Sequence, residues 1–173
     1  MPVDAERWLR DLPAELGRQR DVITGLLNEA RKDARIRLFV VGCSIGRGTA
    51  DALSDVDALY GVAEPKWQET VGDSAELVRR VGPLSDLYQA TLPPASPDAH
   101  AYQHTFAQYA SGVQIDLVVA VARERQAPRA DLVILYDPDQ RASDFPKIEA
   151  PSEHQVRGWM YACLIHLSAC ANT

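Results

Sequence analysis

Apolar residues at the start of the chain recur at helical spacing. Trp8, Leu9 and Leu12, then Leu16, Ile23, Leu26, Leu27 and Ala30, alternate with charged positions. The pattern predicts helix over residues 4–34, divided near Pro13, because proline suits a helix's first turn and not its interior. The period then changes. IRLFVVG, residues 36–42, is a short continuous apolar run and reads as a buried strand. SIGRGTADAL has turn character followed by one or two helical turns, and SDVDALYGV reads as a second strand. Residues 68–81 return to helical spacing, with Val71, Ala75, Leu77 and Val78 on one face. DLYQATL is a candidate strand and PPASPDAHAY a loop by composition. HTFAQYASGVQIDLVVAV holds two extended runs about Ser111-Gly112, a hairpin signal. ADLVILYDP reads as a last strand closed by an Asp-Pro turn, and DQRASDFPKIEAP as a linker. SEHQVRGWMYACLIHLSACANT is a predicted closing helix, with Ser152 as N-cap and Glu153 in its first turn.

Helices and strands alternate, and the hairpin makes part of the sheet antiparallel. The expectation is an α/β (α+β) domain with a mixed central sheet of about four or five strands flanked by helices. Residues 1–150 form that domain, and residues 151–173 form a C-terminal helix. From residue 158 to residue 173 no Asp, Glu, Lys or Arg occurs, and a helix apolar nearly all round is normally buried on several sides. Two readings follow: the helix is a homodimer contact, or it begins a longer helical region.

Composition narrows the classes. Apolar residues make up 46% and charged residues 24%, ordinary for a globular protein. A net charge of −6 disfavours extended nucleic-acid binding, which calls for a basic surplus. Cys43, Cys163 and Cys170 are few and widely spaced, without disulfide-framework or zinc spacing, so a reducing, cytoplasmic setting fits. The N-terminus lacks the apolar run of a signal peptide, and no apolar stretch reaches the ~18 residues of a membrane span.

The chemistry concentrates in VVGCSIGRGTADALSDVDALYGV. Residues two apart on a strand share a face, so Asp55 and Asp57 would set two carboxylates side by side. Like charges that close repel, and a hard cation such as Mg²⁺ relieves the repulsion. Asp116 interrupts an otherwise apolar strand, where a lone aspartate is costly unless paired or metal-bound. If the two strands are neighbours, three carboxylates converge, an arrangement suited to two-metal phosphoryl or nucleotidyl transfer. Taken alone, Ser54-Asp55 reads equally as a turn or cap pair, Asp57 as an edge-strand charge, and Asp116 as a residue satisfied by backbone groups.

The turn before them carries Gly42, Ser44, Gly46, Arg47, Gly48 and Thr49. Glycines allow close backbone approach to a ligand, backbone N–H groups leading into a helix cradle phosphate, and Arg47 offers a charged fork. It is neither a P-loop nor a GxGxxG turn. His104 reads chiefly as a surface or hairpin histidine, with substrate contact as the other reading. Tyr88, Tyr102, Tyr109 and Trp67 read as core or rim aromatics, any of which can stack on a nucleobase.

GCSIGRGTADALSDVD resembles the signature of the nucleotidyltransferase superfamily that includes DNA polymerase beta, in the flavour of the aminoglycoside and lincosamide nucleotidyltransferases. The motif Ser44 stands ten residues before Ser54, as in that pattern. The resemblance implies that Asp55, Asp57 and Asp116 ligate two Mg²⁺ and carry catalysis. It implies that Gly42, Cys43, Ser44, Arg47, Thr49 and Ser54 bind nucleotide and phosphate. The implied activity is Mg²⁺-dependent transfer of a nucleoside monophosphate, AMP from ATP, to a hydroxyl of a small acceptor such as an aminoglycoside-like antibiotic. The other readings are a nucleotidyltransferase acting on protein or RNA, as antitoxin-like relatives do, and a nucleotide-binding relative without turnover. One position departs from the pattern: Cys43 stands where the family usually has glycine, and its Cβ is expected to disfavour the turn.

Overall fold

The protein is described here by a computed structural model covering residues 2–92, 101–122 and 132–140. The closing helix, with Ser152, Glu153, Cys163 and Cys170, and all of the expected linker after Gln140 lie outside the described residues.

The chain opens with α1 (Ala5–Asp11), a 3₁₀ turn (Ala14–Leu16) and α2 (Gly17–Lys32). Asp4 caps α1, its carboxylate accepting from the Arg7 N–H at 3.1 Å. Pro13 stands between the two helices, where its fixed φ serves the new turn. Then come β1 (Ile36–Val41), α3 (Cys43–Arg47) and β2 (Val56–Val62). The expected single helix over residues 68–81 is two: α4 (Trp67–Gly72) and α5 (Ser74–Arg79). Gly72 and Asp73 are weak helix formers, and the Ser74 hydroxyl donates to the Val71 carbonyl at 2.7 Å, which competes with the continuing ladder.

β3 (Leu84–Leu92), β4 (Tyr102–Tyr109), β5 (Gln114–Val121) and β6 (Val133–Tyr136) complete one six-stranded sheet, above the four or five expected. Its order is β3-β4-β5-β2-β1-β6, and among the described strands only β2 and β5 run parallel. The β4–β5 turn uses the left-handed Gly112, φ 86°, as the Ser-Gly signal predicts.

One face of the sheet carries the main core. Val56, Ala58, Tyr60 and Val62 of β2 alternate inward, as do Ile115, Leu117, Val119 and Val121 of β5. They meet Ile23, Leu26, Leu27 and Ala30 of α2 and Leu77 and Val78 of α5. A register shift between Ile36 and Leu38 lets Ile36 and Phe39 share this core. Among the described residues, the opposite face has only a small apolar cluster, Leu38 and Val40 with partly buried Leu59, Leu132 and Ile134. The polar residues of β2 and β5 therefore point to the thinly covered face. No helix among the described residues is long and apolar enough to cross a membrane.

Tyr60 pins β2 to α2. Its ring is fully buried 5.4 Å from Phe39, and its hydroxyl donates to the Leu26 carbonyl at 2.7 Å. Tyr60→Phe keeps the ring and loses that bond. The expected cost is about 1 kcal/mol, read as a lower urea midpoint with an unchanged m-value.

Candidate active site

The parallel pairing of β2 with β5 places Asp57 opposite Asp116. Both are half-buried and share the thinly covered face, since their neighbours Val56, Ala58, Ile115 and Leu117 are buried on the other. Asp55 is exposed and lies one residue ahead of β2. Burial pushes the Asp57 carboxyl above the ordinary carboxylate range; the Cys43 thiol, hydrogen-bonded to it, pulls the other way, as does the charge of Arg47. The negative charges of Asp55 and Asp116 add to the upward push.

The upstream turn is bound to the same strand. The Gly42 N–H donates to the Asp57 carbonyl at 3.0 Å, and Ile45 is buried beneath the turn. Gly42 is extended, but Cys43 is left-handed at φ 51°. A residue with a Cβ pays roughly 1–2 kcal/mol for that conformation. The expectation that cysteine would disfavour the usual turn is thus met by strain accepted in place: the glycine-like backbone is kept. Gly48, φ 71°, closes α3, and the Thr49 N–H and hydroxyl both donate to the Ser44 carbonyl, at 2.9 and 3.4 Å. Arg47 is exposed at the end of α3.

Ser54 is engaged locally. Its hydroxyl accepts from the Asp51 N–H at 3.0 Å and donates to the Asp51 carboxylate at 3.1 Å. The fully buried Gln19 of α2 holds this loop, its amide donating to the Ala52 and Ser54 carbonyls at 3.2 and 3.0 Å. Arg18 reaches across to the Ser111 carbonyl of the β4–β5 turn at 2.9 Å. Neither α2 residue carries a sequence signal; each lies in an ordinary polar stretch of a helix.

His104 belongs to the site. Its Nδ1 lies 3.1 Å from Asp116 Oδ1, with the imidazole 5.5 Å from both Tyr102 and Phe106. A reading of His104 as a surface residue understates it, and the hairpin register that reveals it follows from the turn: Phe106 pairs with Asp116 and His104 with Val118. Beside these residues opens a cleft of about 280 Å³, lined by Asp55, Asp86, Tyr88, Phe106, Gln114 and Asp116 among others.

The donor set suits a hard divalent cation: three carboxylates near one end of adjacent strands, two in register, with a repulsion that a cation relieves. Among the described residues, however, no three His, Cys, Asp or Glu side chains gather about one point. Asp57 is turned to Cys43 and Asp116 to His104. The backbone thus brings Asp57 and Asp116 together, and His104 engages Oδ1 of Asp116, which leaves Oδ2 to face an ion.

No protein-family model matches the sequence, and no curated protein matches it. Among solved structures, an aminoglycoside 6-adenyltransferase from Bacillus subtilis is similar, with 19% identity over 65% of this chain and 37% of its own, at a TM-score of 0.41. The apo form of a CCA-adding enzyme is similar over 68% of this chain and 23% of its own, with 16% identity and a TM-score of 0.42. The chain therefore spans well under half the length of either.

The raised Asp57 carboxyl sets a stability test. A folded-state pKa above the unfolded value contributes stability below the ordinary carboxylate range, and that contribution is lost as pH rises through the raised value. At neutral pH in a chelator, Asp57→Asn is therefore expected to melt above the wild type. The gap should narrow as pH falls into the carboxylate range. Melting curves across that range check it; a variant that melts below wild type at neutral pH contradicts it.

Proposed function

We propose that this protein transfers a nucleoside monophosphate from a nucleoside triphosphate to a hydroxyl of a small-molecule acceptor. The donor of choice is ATP and the acceptor is aminoglycoside-like. The observation that carries the reading is the in-register pair Asp57–Asp116, set directly beside the Gly42–Ser44 turn.

Asp55, Asp57 and Asp116 would hold two Mg²⁺, whose chemistry when bound is to neutralise the triphosphate and lower the pKa of the attacking hydroxyl. The backbone N–H groups about Cys43 and Ser44 meet the phosphates, with Arg47 and the Thr49 hydroxyl at the far end of the turn. Ser54 acts through Asp51, fixing the loop that aims Asp55. The acceptor oxygen forms a bond to the α-phosphorus as the bond to the bridging oxygen breaks, and pyrophosphate leaves with that electron pair. Asp116 accepts the hydroxyl proton, its carboxylate oriented by His104. The left-handed Cys43 supports turnover over an inactive, nucleotide-binding reading, since it keeps the backbone a glycine would give.

Thermal shift with each of the four nucleoside triphosphates, with and without Mg²⁺, tests this on wild type and Asp57→Asn. Stabilisation by ATP that needs Mg²⁺ and is absent in the variant is expected, on the order of 2–3 kcal/mol at a hundredfold excess over Kd. No shift with any nucleotide removes the enzyme reading. His104→Ala is expected to lower kcat by about tenfold with little change in KM for ATP, and His104→Gln to recover part of the loss. Equal losses in both variants would deny His104 an orienting role.

A further inference from the structure

We propose that β3 is a dimerisation edge, and that its occupant is the β3 of a second copy of this chain, paired antiparallel about a two-fold axis at Gln89. The pairing stands independently of the transfer reading.

The two edges of the sheet are unlike. β6, at one end, has four residues, and its Ile134 carbonyl already accepts the Val3 N–H at 3.0 Å. β3, at the other end, has nine residues, and among the described residues no strand pairs with its outer side. An edge strand leaves a row of N–H and C=O groups unpaired, and folds usually blunt it by shortness, lysine, proline or charge. β3 reads LSDLYQATL: it is long, it holds no Lys, Arg or Pro, and Asp86 is its one charge. Tyr88 is 64% exposed, and Phe106, whose ring stacks on it at 6.3 Å, is 42% exposed. Unpaired backbone and an exposed aromatic pair thus lie side by side.

The strand is complementary to itself. The register shift between Leu84 and Asp86 confines regular pairing to residues 86–92. Two such segments run antiparallel and overlap in full when Gln89 meets the partner's Gln89 at the axis. Tyr88 then faces the partner's Ala90, large against small, and Asp86 faces the partner's Leu92. Tyr88 and Ala90 share the face of Phe106 and His104, with which they pair, so the two Tyr88 rings stand diagonally on one face within reach of each other. The two Asp86 carboxylates lie six residues apart along the seam, about 20 Å, beyond the ~8 Å screening length at physiological salt. No like charges are opposed. A foreign basic strand would meet a single carboxylate here, whereas the two-fold seam makes each of its contacts twice.

Because β6 is short and partly taken, the assembly closes at two copies. The partner's Ala90 and the partner's Leu92 come beside Tyr88 and Asp86, which line the cleft, so the second copy extends the cleft wall. Seven paired residues on each side make an interface near or below the ~1,200 Å² of stable complexes. The expected Kd is therefore on the order of 10–100 µM.

Sedimentation velocity on the full chain, from about 1 to about 500 µM, spans that Kd and should show a monomer–dimer equilibrium. With a net charge of −6 on each copy, the dimer should hold or tighten as salt rises. Tyr88→Lys sets a lysine into the seam and should weaken the dimer about tenfold, while Tyr88→Phe stays near wild type. The position is exposed, and an unchanged melting temperature at low concentration certifies the fold. Under mild oxidation Gln89→Cys should give a dimer joined through residue 89, identified by peptide mass. Asp86→Cys, about 20 Å from its copy, should not cross-link. A chain that is monomeric throughout hands the edge to another occupant and overturns the proposal. A dimer indifferent to Tyr88→Lys uses another surface and overturns it too, as does a Kd that rises with salt or equal cross-linking of the two cysteine variants.

Discussion

Two carboxylates facing each other across adjacent strands repel, and partial burial makes the repulsion harder to screen. The sheet does this at Asp57 and Asp116, with Asp55 close behind. The face of the sheet that carries them is arranged around that cost. The Cys43 thiol donates to one carboxylate and His104 stands against the other, so each has a local hydrogen-bonding partner. Cys43 makes its contact from a left-handed backbone, and the turn therefore adds its own strain to the same point. Strain and repulsion concentrated at one place are tolerable because the remainder of β2 and β5 is among the best-packed structure in the chain.

α2 aligns the two halves of the site from beneath. Gln19 holds the loop before β2, and Arg18 holds the turn before β5. Both contacts come from the first turn of one helix, whose later apolar residues enter the core. The positions of Asp55 and Asp116 are thus referred to a common rigid element. The fit is close at the turn: a Cβ on Gly112 would sit 3.3 Å from the Arg18 guanidinium.

Much of this could be read in the residues because the signals are local. Apolar runs mark β1, β2 and β5, and the Ser-Gly turn fixes the β4–β5 register that sets Phe106 against Asp116. The glycine-rich turn and the Ser-Asp-x-Asp spacing mark where chemistry gathers. What escaped is non-local or conformational. The parallel β2–β5 pairing depends on residues far apart in the chain, which no turn specifies. The break between α4 and α5 combines two weak helix formers, Gly72 and Asp73, with a serine hydroxyl that takes the Val71 carbonyl. His104 looks like any polar strand residue until its partner across the sheet is known, and Cys43 gives no hint in sequence that it will adopt φ 51°.

The β2–β5 seam also bears on how the molecule reaches its native state. β3, β4 and β5 form a meander, closed by connections within one stretch of chain, and β1 pairs with the next strand, β2. The seam joins these two locally built pieces, and its Asp57–Asp116 pair links residues 59 positions apart. Docking there must meet loop-closure entropy and carboxylate repulsion in the same event. The ionic conditions that favour the site thus favour the docking, and a chain with its carboxylates together has made the long-range pairing that unites its sheet.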